Sequence, residues 1–188
     1  MKQRLIVIVA LVGLLCAVVI SRAGAATQST SPVMTFDGAV VGSSTLNRTG
    51  SGISVSLHTT GLPAGHAVTV WWMVFNHPAA CITGTTGGSF RCGMADMDNP
   101  AAGLSVLYAA GHVIDGSGAA DFGGSLAEGD ADGAIMGAGL DDAAAADVHL
   151  VVRDHGPADP GMVDRQIHTF GTCNPTCTDL QMSVHQAS

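Results

Sequence analysis

Basic residues are scarce in this chain. Lysine occurs once, at Lys2, and the 188 residues hold 7 Lys and Arg against 15 Asp and Glu. Lys2, Arg4 and Arg22 fall in the first 25 residues. Beyond them Arg48, Arg91, Arg153 and Arg165 face all fifteen acids, so residues 26–188 carry a net charge near −11. Four dispersed arginines cannot build a basic patch, which excludes the electrostatic footprint of nucleic-acid binding and predicts repulsion from anionic membrane surfaces. The sequence also has no long amphipathic helical pattern. Its chemical motifs are incomplete as well: there is no His-x-His or His-x-x-x-His pair, no twelve-residue calcium loop closed by Glu, and no Gly-x-Ser-x-Gly elbow.

Residues 1–25 have the organisation of a cleavable secretory signal peptide. Lys2 and Arg4 form a positive start, residues 5–20 are almost uninterrupted Leu, Ile, Val, Ala and Gly, and Ala23-Gly24-Ala25 supplies small side chains where a signal peptidase cuts. The apolar run is shorter than the roughly 20 residues that span a bilayer, so no stable membrane anchor is expected after cleavage. Leu15 stands before Cys16 where a lipoprotein signal requires a small residue, which argues against lipid anchoring. The expected location is secreted or periplasmic. Residues 26–32, small and polar, read as a flexible lead-in, and residues 33–188 as a single domain.

In an oxidising compartment Cys81, Cys92, Cys173 and Cys177 are expected as two disulfides. Cys81–Cys92 and Cys173–Cys177 are preferred because each closes a short loop containing Gly, Thr or Pro, with crossed pairings left open. A zinc site on Cys173-Asn-Pro-Thr-Cys177 is disfavoured by its three-residue spacing and the lack of a second matching pair.

Apolar residues recur with the period of strands. Ile53, Val55 and Leu57 alternate with Ser54, Ser56 and His58, whereas residues 67–75 are apolar on both faces, as a strand covered on two sides would be. Residues 34–41, 104–112, 119–126, 146–153 and 180–185 complete seven candidate strands, separated by Gly, Asp, Asn and Pro clusters. The pattern predicts an all-β domain, a single antiparallel β-sandwich of about seven strands with immunoglobulin-like or CHRD-like topology, with a closed barrel as the alternative. Residues 141–146, an Ala run led by acids, are the one helix-prone stretch.

Imidazoles are the most suggestive side chains. His66, His77, His112, His149, His155 and His168 are candidate copper or zinc ligands, with His149 on a strand and His155 in the turn after it. Met73, Met94, Met97, Met162 and Met182 are candidate soft ligands for copper, read by preference as packing residues. Glu128-Gly-Asp130-Ala-Asp132-Gly133 and Asp96-Met-Asp98-Asn99 place carboxylates two apart, as calcium loops do, but ordinary turns use the same residues. Ser105, Ser89 and Ser117 lack an evident base, and Asp154 with His155 is a weak acid–base pair, so no catalytic residue is assigned. Asn47-Arg48-Thr49 matches a glycosylation acceptor.

Two segments carry a likeness to known families. Leu57-His58-Thr-Thr-Gly-Leu-Pro-Ala-Gly-His66-Ala-Val-Thr-Val-Trp71 with Asn76-His-Pro-Ala-Ala-Cys81, and Asp147-Val-His-Leu-Val-Val-Arg-Asp-His-Gly-Pro157, resemble a group of uncharacterised bacterial secreted proteins. A strand leading into Gly61-Leu62-Pro63 and a later His-bearing strand with Gly156-Pro157 also resemble the chordin-type (CHRD) β-sandwich domain. The Ala-His-Ile-His segment of that domain is not reproduced, since Val148 precedes His149 and Val151 stands where the second His belongs. The resemblance therefore implies a secreted β-rich domain and transfers no metal or catalytic residue. The leading expectation is a non-enzymatic binding, envelope or matrix protein, followed by a His-based copper or zinc protein and then by a secreted hydrolase.

Overall fold

The computed structural model describes residues 26–86 and 89–187; the signal peptide expected over residues 1–25 lies outside the described residues. Eight strands form the domain: β1 (Thr27–Thr35), β2 (Val40–Thr49), β3 (Gly52–Thr59), β4 (His66–Phe75), β5 (Leu104–Val113), β6 (Ala120–Ala127), β7 (Asp147–Pro157) and β8 (Thr178–His185). A four-residue helix, α1 (Val163–Gln166), precedes β8. All eight strands hydrogen-bond into one sheet in the order β5-β4-β7-β8-β1-β2-β3-β6, and every ladder is antiparallel.

The sheet curls until its end strands nearly meet. At this seam His112 on β5 hydrogen-bonds through Nε2 to the Asp121 carbonyl of β6 at 3.0 Å, and its ring lies 5.0 Å from that of Phe122. Gly124 makes the approach possible, because a Cβ there would stand 3.1 Å from the Ala109 carbonyl oxygen and 3.3 Å from the Trp72 ring. Residues 60–65 carry the chain from β3 past β6 and β5 to β4, and residues 128–146 carry it from β6 past β5 and β4 to β7. These are the long returns of Greek-key topology.

The all-β, antiparallel expectation holds, but a seven-stranded sandwich is not confirmed: there are eight strands, all in one nearly closed sheet. Residues 27–32, expected as a flexible lead-in, are instead the first part of β1, paired residue by residue with β2 from Thr27↔Arg48 to Pro32↔Ser43. Residues 34–41, expected as one strand, straddle the turn between β1 and β2. Residues 141–146 form a turn rather than a helix, because the Asp142 carboxylate takes the Ala144 and Ala145 N–H groups (2.8 and 3.3 Å) and the chain then enters β7.

The physical reason that β1 and β2 escape hydrophobic patterning lies inside the barrel. Val33, Leu46, Leu57, Val68, Val70, Trp72, Val74, Phe122, Leu150 and Val152 pack its interior. Beside them sits a buried polar network. His185 is held between Ser29 Oγ at Nδ1 (2.8 Å) and Ser44 Oγ at Nε2 (2.7 Å), and Ser44 also meets Ser183 Oγ at 2.6 Å. The Arg48 guanidinium donates to the carbonyls of Ala143, Ala146 and His185 at 2.6, 2.8 and 3.1 Å. Several inward positions of β1 and β2, beside Val33 and Leu46, are therefore polar but satisfied, which breaks the apolar alternation while leaving the strands stable.

β4 shows the opposite. Val68, Val70, Trp72 and Val74 enter the barrel, and Trp71, Met73 and Phe75 point outward into a second cluster with Cys81, Cys92, Ala102, Leu104 and Val106. Both faces are covered, as the unbroken apolar run requires. The outer cover is formed by residues 76–86 with 89–103 and by residues 158–177. The first is tied down by the Cys81–Cys92 disulfide and by Arg91, whose Nη2 and Nε donate to the buried Asp147 carboxylate at 2.5 and 3.0 Å. The second carries Cys173–Cys177, so both preferred pairings are formed.

Candidate functional site

Cross-strand register places a row of side chains on the outer face of β5, β4, β7 and β8. Val106, Met73, His149 and Val184 lie opposite one another in sequence across the four strands, and the next row contains Tyr108, Trp71, Val151 and Met182. Directly opposed antiparallel residues have Cβ atoms about 5 Å apart, so Met73 and His149 are immediate neighbours. Over this face hang the loop bearing Met94 and Met97 and the loop bearing Ile135 and Met136. The latter is fastened by Val106 N–H to the Met136 carbonyl and Ile135 N–H to the Val106 carbonyl, both 2.9 Å. Asn76 secures its far end, donating to the Gly139 carbonyl at 2.9 Å and accepting from the Asp141 N–H at 3.0 Å.

A cavity of about 280 Å³ lies between sheet and loops. Met73, Met94, Met97, Met136 and Met182 line it together with Trp71, Phe75, Val106, Val151 and Phe170. Five of the chain's eight methionines thus converge from four separate segments. Met94 (79 % exposed) and Met136 (45 %), with Phe36 and Ile135, stand at the mouth, whereas Met73, Met97 and Met182 are half-buried. Phe170 closes one wall. Its ring meets Trp71 edge-on at 5.0 Å, with the Arg153 guanidinium over it at 4.1 Å.

His149 is the polar side chain set deepest in this wall, 4 % exposed, with its ring 5.1 Å from Phe75. Its Nε2 has no hydrogen-bond partner, a condition shared among the described residues only by Trp72 Nε1 in the barrel core. Burial holds the imidazole pKa down to about 4, against a weaker opposing pull from the Asp147 and Asp96 carboxylates, so at neutral pH the ring is uncharged. An unpaired buried polar nitrogen costs about 1–3 kcal/mol.

The other sequence-selected histidines are scattered. His66 Nδ1 meets both Asp154 oxygens at 3.0 Å, and His77 stands 4.0 Å from Asp141. His112 bridges the seam, and His168 Nδ1 donates to the Asp164 carbonyl at 2.7 Å at the end of α1. His155 is fully buried: Nδ1 donates to the Thr172 carbonyl at 2.9 Å, and Nε2 therefore accepts from Thr69 Oγ1 at 2.8 Å. Among the His, Cys, Asp and Glu side chains of the described residues, the one group of three with ligand atoms within 4.8 Å of one another is His155, Cys173 and Cys177, whose sulfurs are joined to each other. No three of the six histidines gather.

The remaining candidates have structural work. Ser105 Oγ accepts from the Ala138 and Gly139 N–H groups, both at 3.1 Å. Asp130 Oδ1 accepts from Asp132 N–H at 3.0 Å, the bond of an ordinary turn, and Glu128 Oε1 accepts from Ala143 N–H at 2.7 Å, tying the two ends of the β6–β7 connection together. Asp96, fully buried, accepts from Ile82 N–H (2.6 Å), Thr83 N–H (3.2 Å), Gly93 N–H (3.0 Å) and the Thr83 hydroxyl. Sequence reasoning named four of the five cavity methionines but not their convergence, and it missed Met136. Met94-Ala95-Asp96-Met97 is a Met-x-x-Met pair and was the available signal. Comparison with protein-family models, with curated proteins and with solved structures gives no match.

Proposed function

We propose that this is an exported, non-enzymatic binding protein that carries a small ligand in the cavity on the outer face of β4, β7 and β8. The supporting observation is the make-up of the wall: thioethers, aromatic rings and valines, with His149 and Asp179 as its titratable groups. Hydrolysis needs a nucleophile beside a base, and no Ser, Thr or Cys is among the lining residues. An apolar cavity with few polar groups is instead suited to holding a compact ligand in a fixed orientation. An engineered cavity of about 150 Å³ accommodates benzene, so 280 Å³ admits a ligand of about twice that bulk. Methionines at the mouth supply an adaptable rim. The two disulfides support an oxidising, extracytoplasmic setting, and no helix among the described residues is long and apolar enough to cross a membrane. The likeness to CHRD-type secreted domains points to the same compartment.

Titration of residues 26–188 with a neutral apolar fluorophore such as N-phenyl-1-naphthylamine tests this reading. Saturable enhancement is expected, and Met182→Lys, which sets a charge in the wall, should abolish it. Enhancement that does not saturate, or that survives Met182→Lys unchanged, would reject the cavity as the binding site.

A further inference from the structure

We propose that the cavity is a copper(I) site in which His149 Nε2 and the thioethers of Met73 and Met97 hold the ion, with Met94 and Met136 at the mouth as the first sulfur atoms an entering ion meets. The inference rests on reading the cavity as the binding site and names what occupies it. Three independent features support it.

The donor set comes first. Thioether sulfur and neutral imidazole are soft to borderline ligands that favour copper(I) over calcium or magnesium, which require oxygen. Zinc prefers thiolate, imidazole or carboxylate ligands that offset its double charge, and thioethers carry no charge to do so. The field around the site is the second. The desolvation energy of an ion rises with the square of its charge, so a wall this apolar tolerates a monovalent cation far better than a divalent one. Asp96, between Met94 and Met97 in sequence, supplies a compensating charge without being a ligand. The donors that hold its carboxylate, the N–H groups of Ile82, Thr83 and Gly93 and the Thr83 hydroxyl, are all neutral. The third feature is the unpartnered Nε2 itself. A buried, unpartnered imidazole nitrogen on a residue that lines this cavity contributes nothing to stability, whereas a bound ion would remove the cost of leaving it unpaired.

The test is an anaerobic titration of residues 26–188 with copper(I) under ascorbate, against bicinchoninate as a competing chelator. The disulfides are checked as intact by mass after alkylation, so that thiols of Cys173 and Cys177 do not contribute. One equivalent should bind, with an X-ray absorption spectrum of sulfur scatterers plus one nitrogen. His149→Leu should remove the nitrogen, and each of Met73→Leu and Met97→Leu should weaken binding about tenfold, or about 1.4 kcal/mol. The methionine replacements conserve volume and keep the test decisive should His149→Leu fail to fold. Failure to compete with the chelator would overturn the proposal. So would affinity unchanged in these variants, which would put the ion elsewhere, or zinc binding as tightly at the same residues. Absence of copper binding by the unaltered protein with fluorophore binding present would refute the metal alone, while absence of both would refute the cavity as a ligand site.

Discussion

Acid should unfold this protein through two histidines. His149 in the cavity wall and His185 in the barrel network each have their pKa lowered from 6.5 to about 4, in both cases chiefly by burial. For His185 the nearby Arg48 charge adds to the effect. The unfolded chain therefore binds more protons than the native one between pH 6.5 and pH 4, so stability is full above that window and falls as pH falls through it. A pKa lowered from 6.5 to about 4 corresponds to about 3 kcal/mol per group, of which about 2.5 kcal/mol is lost by pH 4.5. Together the two withdraw about 5 kcal/mol, comparable to the 5–15 kcal/mol that holds a typical domain. Burial lowers the His155 pKa in the same direction. Relief of self-repulsion among the surplus acids acts oppositely but is spread over an exposed, screened surface. Urea denaturation at pH 7.5, 6.0 and 4.5, followed by emission from the buried Trp71 and Trp72, measures the effect. In metal-free protein, His149→Gln should remove about half of the pH dependence. A midpoint that does not move between pH 7.5 and 4.5, or a His149→Gln variant with the wild-type slope, would refute the reasoning.

Two further perturbations probe the elements that hold the site. Arg48→Met leaves the carbonyls of Ala143, Ala146 and His185 without their buried donor and should cost about 3 kcal/mol or more, read as a lower thermal midpoint. Replacing Cys81 and Cys92 by Ala opens a loop of eleven residues' separation and should cost about 2–3 kcal/mol in urea titrations; unaltered stability would show that the Arg91–Asp147 pair alone holds residues 76–103 in place.

Six of the eight strands were legible in the sequence, because β3 to β8 either alternate or run apolar in ways that a half-covered or fully covered strand must. β1 and β2 were not. Their inward side chains include Ser29, Ser44 and Arg48, and a polar residue facing a core is recognisable only when its partner, here His185 or a distant carbonyl, is known. The Ala run before β7 has helical propensity, yet Asp142 and the demand of Arg48 for the Ala143 and Ala146 carbonyls make it a turn.

The same division applies to the site. Sequence alone determined the acidity and the strand character of residues around His149 and favoured the local disulfide pairs that the structure then showed, since each depends on composition or on near neighbours. Only the tertiary structure distinguished the histidines from one another. His66, His77, His112, His149, His155 and His168 look alike in one dimension, but a single one of them lines the cavity with the five methionines and has a buried, unpartnered Nε2. Met73 and His149 are 76 positions apart and become neighbours only through the β4–β7 register, and Met94, Met97 and Met136 arrive on loops whose positions are set by Arg91, Asn76 and a disulfide. Such convergence belongs to the closure of the sheet, in which contacts between distant segments, rather than local periodicity, place the chemistry.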